Sequence, residues 1–272
     1  MGTRIALGLI YQGTRYHGFQ RQLNVVTVQQ AVETALTSIA DHPIRVACAG
    51  RTDSGVHATG QVIHFDTDAR RQDKAWVQGV NTLLPDDISV SWMRPVDETF
   101  DARHSATARR YQFILYNQPL RHALAYELMA REYRPLREGA MQTAAQALVG
   151  EHDFSAFRAA HCQANSPWRC IEFIEVTRRG DLVIVDIKAN AFLHHMVRNI
   201  VGSLCDVGAG VQEVDWIDEL LKQRNRQLAG KMAAPSGLYL CQVDYPMAFD
   251  IPKGTFPSQL SVSYTHLRAH ET

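Results

Sequence analysis

With 272 residues, 46% of them hydrophobic and 21% charged, the chain is long enough for two packed modules and is neither disordered nor fibrous in composition. Lysine plus arginine and aspartate plus glutamate both number 28, so bulk charge gives no nucleic-acid footprint; arginine nonetheless greatly outnumbers lysine and suits bidentate phosphate contacts. No apolar run approaches the roughly 18–20 residues that span a bilayer. Residues 1–4 lead into an alternating pattern without a signal-peptide core, so the expected location is the cytoplasm, away from membranes.

In the first hundred residues the order reads β-α-β-β-α-β. Ile5, Leu7 and Leu9 alternate with Arg4, Ala6 and Gly8, which predicts a strand through Tyr11. Thr27 is the expected N-cap of a helix with Val28, Ala31, Val32, Ala35, Leu36 and Ile39 on one face, and Pro43 closes the connection behind it. Strands are expected over 44–49 and 61–65, a helix over 74–84 stopped by Pro85, and a strand over 88–93. After a polar connector at 97–104 the order recurs: a strand at 106–116, a helix at 136–148 and strands at 171–177 and 182–188 joined by a turn at Gly180. Helices at 193–207 and 215–222 and a last strand at 238–245 complete it. The expected class is therefore α+β, with two ferredoxin-like (RRM-like) halves at 1–104 and 105–250 and a tail at 251–272. Within that tail, 261–272 has no apolar face and reads as a translated adaptor outside the fold.

The five cysteines (Cys48, Cys162, Cys170, Cys205 and Cys241) form no C-x-x-C pair, so neither a disulfide framework nor a zinc ribbon is expected. His152, His161, Cys162 and Cys170 can be drawn as a metal cluster, but their spacing fits no familiar site. His194 and His195 are adjacent, and adjacent residues diverge on a helix, which argues against a metal pair there.

The strongest chemical signal is Arg51-Thr52-Asp53-Ser54-Gly55-Val56-His57. It puts a carboxylate two residues from a guanidinium at a Gly turn, directly after an apolar run, where the acid can stay ionised and still meet a ligand. Residues 11–22 (YQGTRYHGFQRQ) combine paired glycines, aromatics and arginines, a composition suited to phosphate approach and base stacking; Arg15, Tyr16, Phe19, Gln20 and Arg21 are the candidates there. Arg109, Arg110 and Tyr111 open the second half. Arg198 lies on an otherwise apolar helix and needs an anionic partner, since an unpaired buried charge is costly.

These segments, with 190–202 (NAFLHHMVRNIVG) and 230–238 (GKMAAPSGL), resemble the tRNA pseudouridine synthase A family along nearly the whole chain. One departure is Ser54, where many relatives carry Ala. The resemblance implies the pseudouridine synthase fold, in which the two halves share one mixed sheet with a central cleft. It implies Asp53 as catalytic residue and nucleophile, Arg198 as its ion-pair partner, and Tyr111 stacking on the displaced uracil. Arg51, His57, Arg109 and Arg110 join the loop residues as RNA contacts. The implied substrate is uridine 38, 39 or 40 of the tRNA anticodon stem-loop, turned into the pocket by a homodimer, with no metal or organic cofactor. Asp53 would act by attack at C1′ or by removing the C2′ proton. The rival readings are a non-catalytic RRM-like RNA-binding protein and a nucleoside or glycoside hydrolase.

Overall fold

Strand β1 (Thr3–Tyr11) is apolar on both faces, and Ala6, Leu7 and Leu9 are fully buried. It can be so because it is an inner strand: β3 (His57–Thr67) pairs with it antiparallel on one side and β4 (Ile88–Val96) on the other. The computed structural model describes residues 2–160 and 162–257, and these fall into two units. The first holds residues up to Thr107 together with those from Tyr239 onward, and the second runs from Ala108 to Leu238.

In the first unit, helix α1 (Val28–Ala40) begins where Thr27 Oγ1 accepts the Gln30 N–H at 3.4 Å and ends at Asp41, which is left-handed at φ 62°. Val28, Val32, Ala35 and Leu36 form its buried stripe, as the 3.6-residue period requires. The strand expected over 44–49 survives only as β2 (Ala47–Cys48), paired with β3. The helix expected over 74–84 is shorter and contains a π-turn at Ala75–Gly79, which carries Trp76 against Phe65 with ring centroids 5.4 Å apart. Pro95 lies on β4, which pairs with β1 alone in the strand order, and an edge strand is where a residue without an N–H is tolerated.

The second unit has its own antiparallel run. Strand β5 (Ala108–Tyr116) pairs with β9 (Leu182–Ala189), β9 with β8 (Trp168–Arg179), and β8 with β7 (Gly150–Asp153). A two-residue strand β6 (Ala130–Arg131) lies parallel to β5. Neither β6 nor β7 is visible as a periodic run in the sequence. Helices α2 (Glu138–Ala145), α3 (Met196–Gly208) and α4 (Trp216–Gln223) complete the unit. Helix α3 is buried nearly all round, with Ile200, Val201, Leu204 and Val207 fully buried; each contributes about 1.5–3 kcal/mol through removal from water.

The last strand, β10 (Leu238–Asp244), forms where the sequence places it, at 238–245. Its residues Tyr239 and Leu240 pair parallel to His57 and Ala58 of β3 and group with the first unit. Parallel pairing to a strand some 180 residues away leaves no local trace in the sequence. The tail segment 261–272 lies outside the described residues.

Gly202 is the tightest point of α3. A Cβ built there would stand 1.8 Å from the Lys231 carbonyl oxygen, so the segment crossing the helix can approach only because no side chain intervenes. Gly202→Ala should therefore destabilise the protein by roughly 1–3 kcal/mol in denaturant unfolding, overriding the helix preference for alanine. Stability equal to or above wild type would contradict this close approach.

Candidate active site

The loop at 50–56 is fastened at three places within the first unit. At its entry, the fully buried Gln61 donates from Nε2 to the Gly50 carbonyl at 2.6 Å and accepts the Gly50 N–H at 3.3 Å. In the middle, the Thr52 hydroxyl and the Tyr11 phenol share a 2.8 Å hydrogen bond, and the Thr52 carbonyl accepts the Phe19 N–H at 3.0 Å. At the exit, the Val56 N–H returns to the Asp53 carbonyl at 3.1 Å across Gly55, which is left-handed at φ 78°. Thr52 is buried, Asp53 is half-buried and Arg51 is exposed. Two neighbours of Asp53 are thus immobilised while Asp53 keeps access to solvent.

The loop at 12–22 is laid over this one and strapped to α1. The Gly18 and Phe19 carbonyls accept the Val28 and Gln29 N–H groups at 3.3 and 2.9 Å, satisfying two of the donors that every helix start leaves open. Gly18 sits at φ 86°, and a Cβ there would be 2.7 Å from the Thr52 carbonyl. Ser54 Oγ donates to the Tyr16 carbonyl at 3.2 Å.

This packing changes the part that the loop's rings can play. Tyr16 and Phe19, named above as candidate RNA contacts, are 4% and 1% exposed. Apolar rings in a loop pinned to a helix gain more by entering the core than by waiting in water. Tyr16 also donates its hydroxyl to Asp87, and burial together with that bond pushes its phenol well above the usual range. His57 is likewise buried, at 1%; its Nδ1 accepts the Gly13 N–H at 3.0 Å and its ring stacks on Tyr239 at 4.7 Å. Arg15, Gln20, Arg21 and Arg51 remain exposed.

In the second unit, Tyr111 lies on β5 with its ring edge against Phe192, centroids 5.1 Å apart, and is 9% exposed. Arg110 is held by a two-pronged pair with Asp186 at 2.7 and 2.9 Å and lies over Phe173 at 4.9 Å, while Gln112 donates to the same carboxylate at 2.7 Å. That guanidinium is committed to the sheet. Arg109 donates to the Asn190 carbonyl at 3.2 Å. Asp186 was missed in the sequence, though a lone carboxylate inside the apolar run 182–187 was the available signal.

Met196, Val197, Ile200, Val201 and Leu204 pack inward on α3 as expected, but the helix starts at Met196 rather than at 193. His195 is left-handed at φ 63°, so the His194 and His195 rings do not diverge; their centroids lie 3.8 Å apart. Arg198 is buried, donates from Nε to the Ala233 carbonyl at 2.9 Å, and accepts the Ala233 N–H on its own carbonyl at 3.1 Å. Asn199 beside it donates to the Phe157 carbonyl at 2.8 Å and accepts from Arg226 at 2.9 Å. Of the drawn metal cluster, His161 lies outside the described residues, Cys162 Sγ accepts the His194 N–H at 3.4 Å, and His152 Nε2 bonds the Val149 carbonyl. All five cysteines are free thiols.

A clamped, solvent-accessible carboxylate with exposed arginines on two adjoining loops suits contact with an anionic ligand. Comparison with known proteins narrows this. The sequence profile described as tRNA pseudouridine synthase matches residues 9–105 and 144–246. The chain is 56% identical over 250 residues to the tRNA pseudouridine synthase A of Enterobacter sp. (strain 638), covering 92% of this chain and 93% of that protein. It is 54% identical over 252 residues to the protein of that name from Pectobacterium atrosepticum, covering 93% and 89%. Among solved structures, a Cbf5-Nop10-Gar1 complex aligns at a TM-score of 0.40 and 12% identity, over 87% of this chain and 48% of that one. The chain belongs to the tRNA pseudouridine synthase family.

The clamp at Thr52 can be measured directly. Tyr11→Phe and Thr52→Val each remove one half of the 2.8 Å bond and should each cost about 1 kcal/mol, with the double variant costing clearly less than their sum. Strict additivity would show that the two hydroxyls do not act together.

Proposed function

We propose that the chain converts uridine to pseudouridine in the anticodon stem-loop of tRNA, at positions 38, 39 and 40, and does so in the cytoplasm. What carries the reading is the family membership along nearly the whole chain together with an acid, Asp53, on a loop that the fold fastens at its entry, middle and exit. The reaction is an isomerisation. The N1–C1′ bond breaks, the uracil turns, a C5–C1′ bond forms, and the C5 proton is exchanged for one on N1. No electrons are gained or lost, so the reading calls on no redox cofactor.

Glycoside cleavage with water generally uses two carboxylates, one to attack and one to protonate. One suffices here because the leaving base is recaptured in place of water. Asp53 acts at the ribose in its ionised form, by attack at C1′ or at the C2′ proton, and both routes need the anion. Arg198, whose backbone and Nε are both fixed on Ala233, is the guanidinium assigned to keep it ionised. Tyr111 presents its ring to the uracil by stacking, since a phenol is a weak base near neutrality. The target nucleotide must leave its stem before it can react, and in this reading Arg51, which is exposed, fills the space it vacates. Arg15, Gln20 and Arg21 hold the RNA backbone, with Arg109 on the second unit. Tyr16, Phe19, His57 and Arg110 support these residues from within.

The active form is a homodimer in this reading. Supporting it, the segment 120–128 exposes Leu120, Leu124, Tyr126 and Leu128, an apolar surface that a monomer leaves in water. Leu124→Asp should shift light-scattering mass toward the monomer; a monomeric wild type would refute the dimer.

Asp53→Asn is expected to lower pseudouridine formation at least about 10³-fold while tRNA affinity stays within about threefold. Activity within tenfold of wild type would remove Asp53 from the chemistry. If wild type binds tRNA and forms no pseudouridine, the RRM-like binding protein is the better reading. Arg198→Ala should lose activity as well as stability, and unchanged activity would dissociate it from Asp53.

A further inference from the structure

Glu33 on α1 is a carboxylate that the proposed chemistry does not use, yet it is 2% exposed. Acids are seldom buried so fully unless every lone pair is occupied. Its Oε1 accepts the Gln29 side-chain amide at 2.9 Å and the Val46 N–H at 3.1 Å. Its Oε2 takes two guanidiniums, Arg21 and Arg45, each at 2.9 Å. Arg21 is held at its other end too, since its backbone N–H donates to Gln29 Oε1 at 2.9 Å.

Three segments of the first unit therefore meet at one buried acid: the loop at 12–22 through Arg21, helix α1 through Gln29, and the segment leading into β2 through Arg45 and Val46. Two cations against one anion leave a formal charge of +1. It faces water, because the Arg21 and Arg45 side chains are 41% and 71% exposed while the acid is hidden behind them. Two guanidiniums brought to one oxygen repel each other, and the arrangement is relieved by a further anion on the solvent side. Their planar forks match the paired oxygens of a phosphate better than a point charge would.

We infer that Arg21 and Arg45 form a subsite for one phosphodiester of the RNA backbone, with Glu33 as the positioning residue that holds both guanidiniums in register. The inference rests on the tRNA reading above. It adds Arg45, which carried no signal in the sequence, and a role for Glu33. The subsite grips the backbone and reads no base, so it serves every tRNA alike.

The test compares full-length wild type, Arg45→Gln, Arg45→Lys and Glu33→Gln for tRNA affinity across about 50–200 mM salt and for steady-state kinetics, with melting temperature as a check on folding. Arg45 is largely exposed, so its variants should melt with wild type. Arg45→Gln should raise KM roughly tenfold, with a smaller fall in kcat, and lower the log–log salt slope by about 0.7–0.9. Arg45→Lys should restore the slope but only part of the affinity, a recovery that loss of a merely structural contact does not predict. Glu33→Gln keeps both cations and should weaken affinity with the slope preserved. Arg45→Gln with wild-type slope and KM overturns the subsite and leaves the tRNA reading intact. Wild type that neither binds nor modifies tRNA overturns the reading and the subsite with it.

Discussion

Thr52 is the point on which the site depends. Its hydroxyl is tied to Tyr11 at the end of β1, its carbonyl to the backbone of Phe19, and Asp53 is the next residue. A carboxylate on a free loop would sample many positions, and losing that freedom on binding would cost roughly 1–2 kcal/mol per ordered residue. Here the ordering is done on folding. The same tie explains why Gly18 must lack a side chain and why the loop at 12–22 lies flat over the Asp53 loop. Fold and site are not separable at this position, because the strand end, the helix start and the acid-bearing loop share one set of hydrogen bonds.

The arginines sort by what already holds them. Arg110 is occupied by Asp186 and Phe173, and Arg4 by Asp66 and the Phe100 carbonyl. Both stabilise sheet geometry. Arg15 and Arg51 stand exposed on loops, and Arg21 and Arg45 are oriented yet still largely open to water. A chain with balanced charge can present a cationic surface in this way, by burying the acid that orients the bases. Net charge is a poor guide when the carboxylates are internal, as Glu33 is.

What could be read from the sequence was whatever is local. Thr27 as N-cap, the buried stripe of α1 and the inward face of α3 all follow from spacing, and all are found. The family resemblance rested on contiguous letters and was legible for the same reason. What local pattern did not carry, strand pairing above all, has other causes. β10 pairs with β3 across most of the chain, and β6 has only two residues, too few for any period to register. Tyr16, Phe19 and His57 looked like ligand-facing groups because loop aromatics often are. Their burial involves partners distant in sequence, Asp87 for Tyr16, Thr52 for Phe19 and Tyr239 for His57. The His194 and His195 geometry hinged on one left-handed residue, which no periodicity announces.

The account stands or falls on whether the purified chain makes pseudouridine. Unmodified tRNA transcript incubated with the protein, then mapped by carbodiimide adduct formation and primer extension, answers this. The account predicts stops at one or more of positions 38, 39 and 40, with total uridine plus pseudouridine conserved. Unaltered uridines at all three, or free uracil released with strand breaks at the vacated sugars, would contradict it.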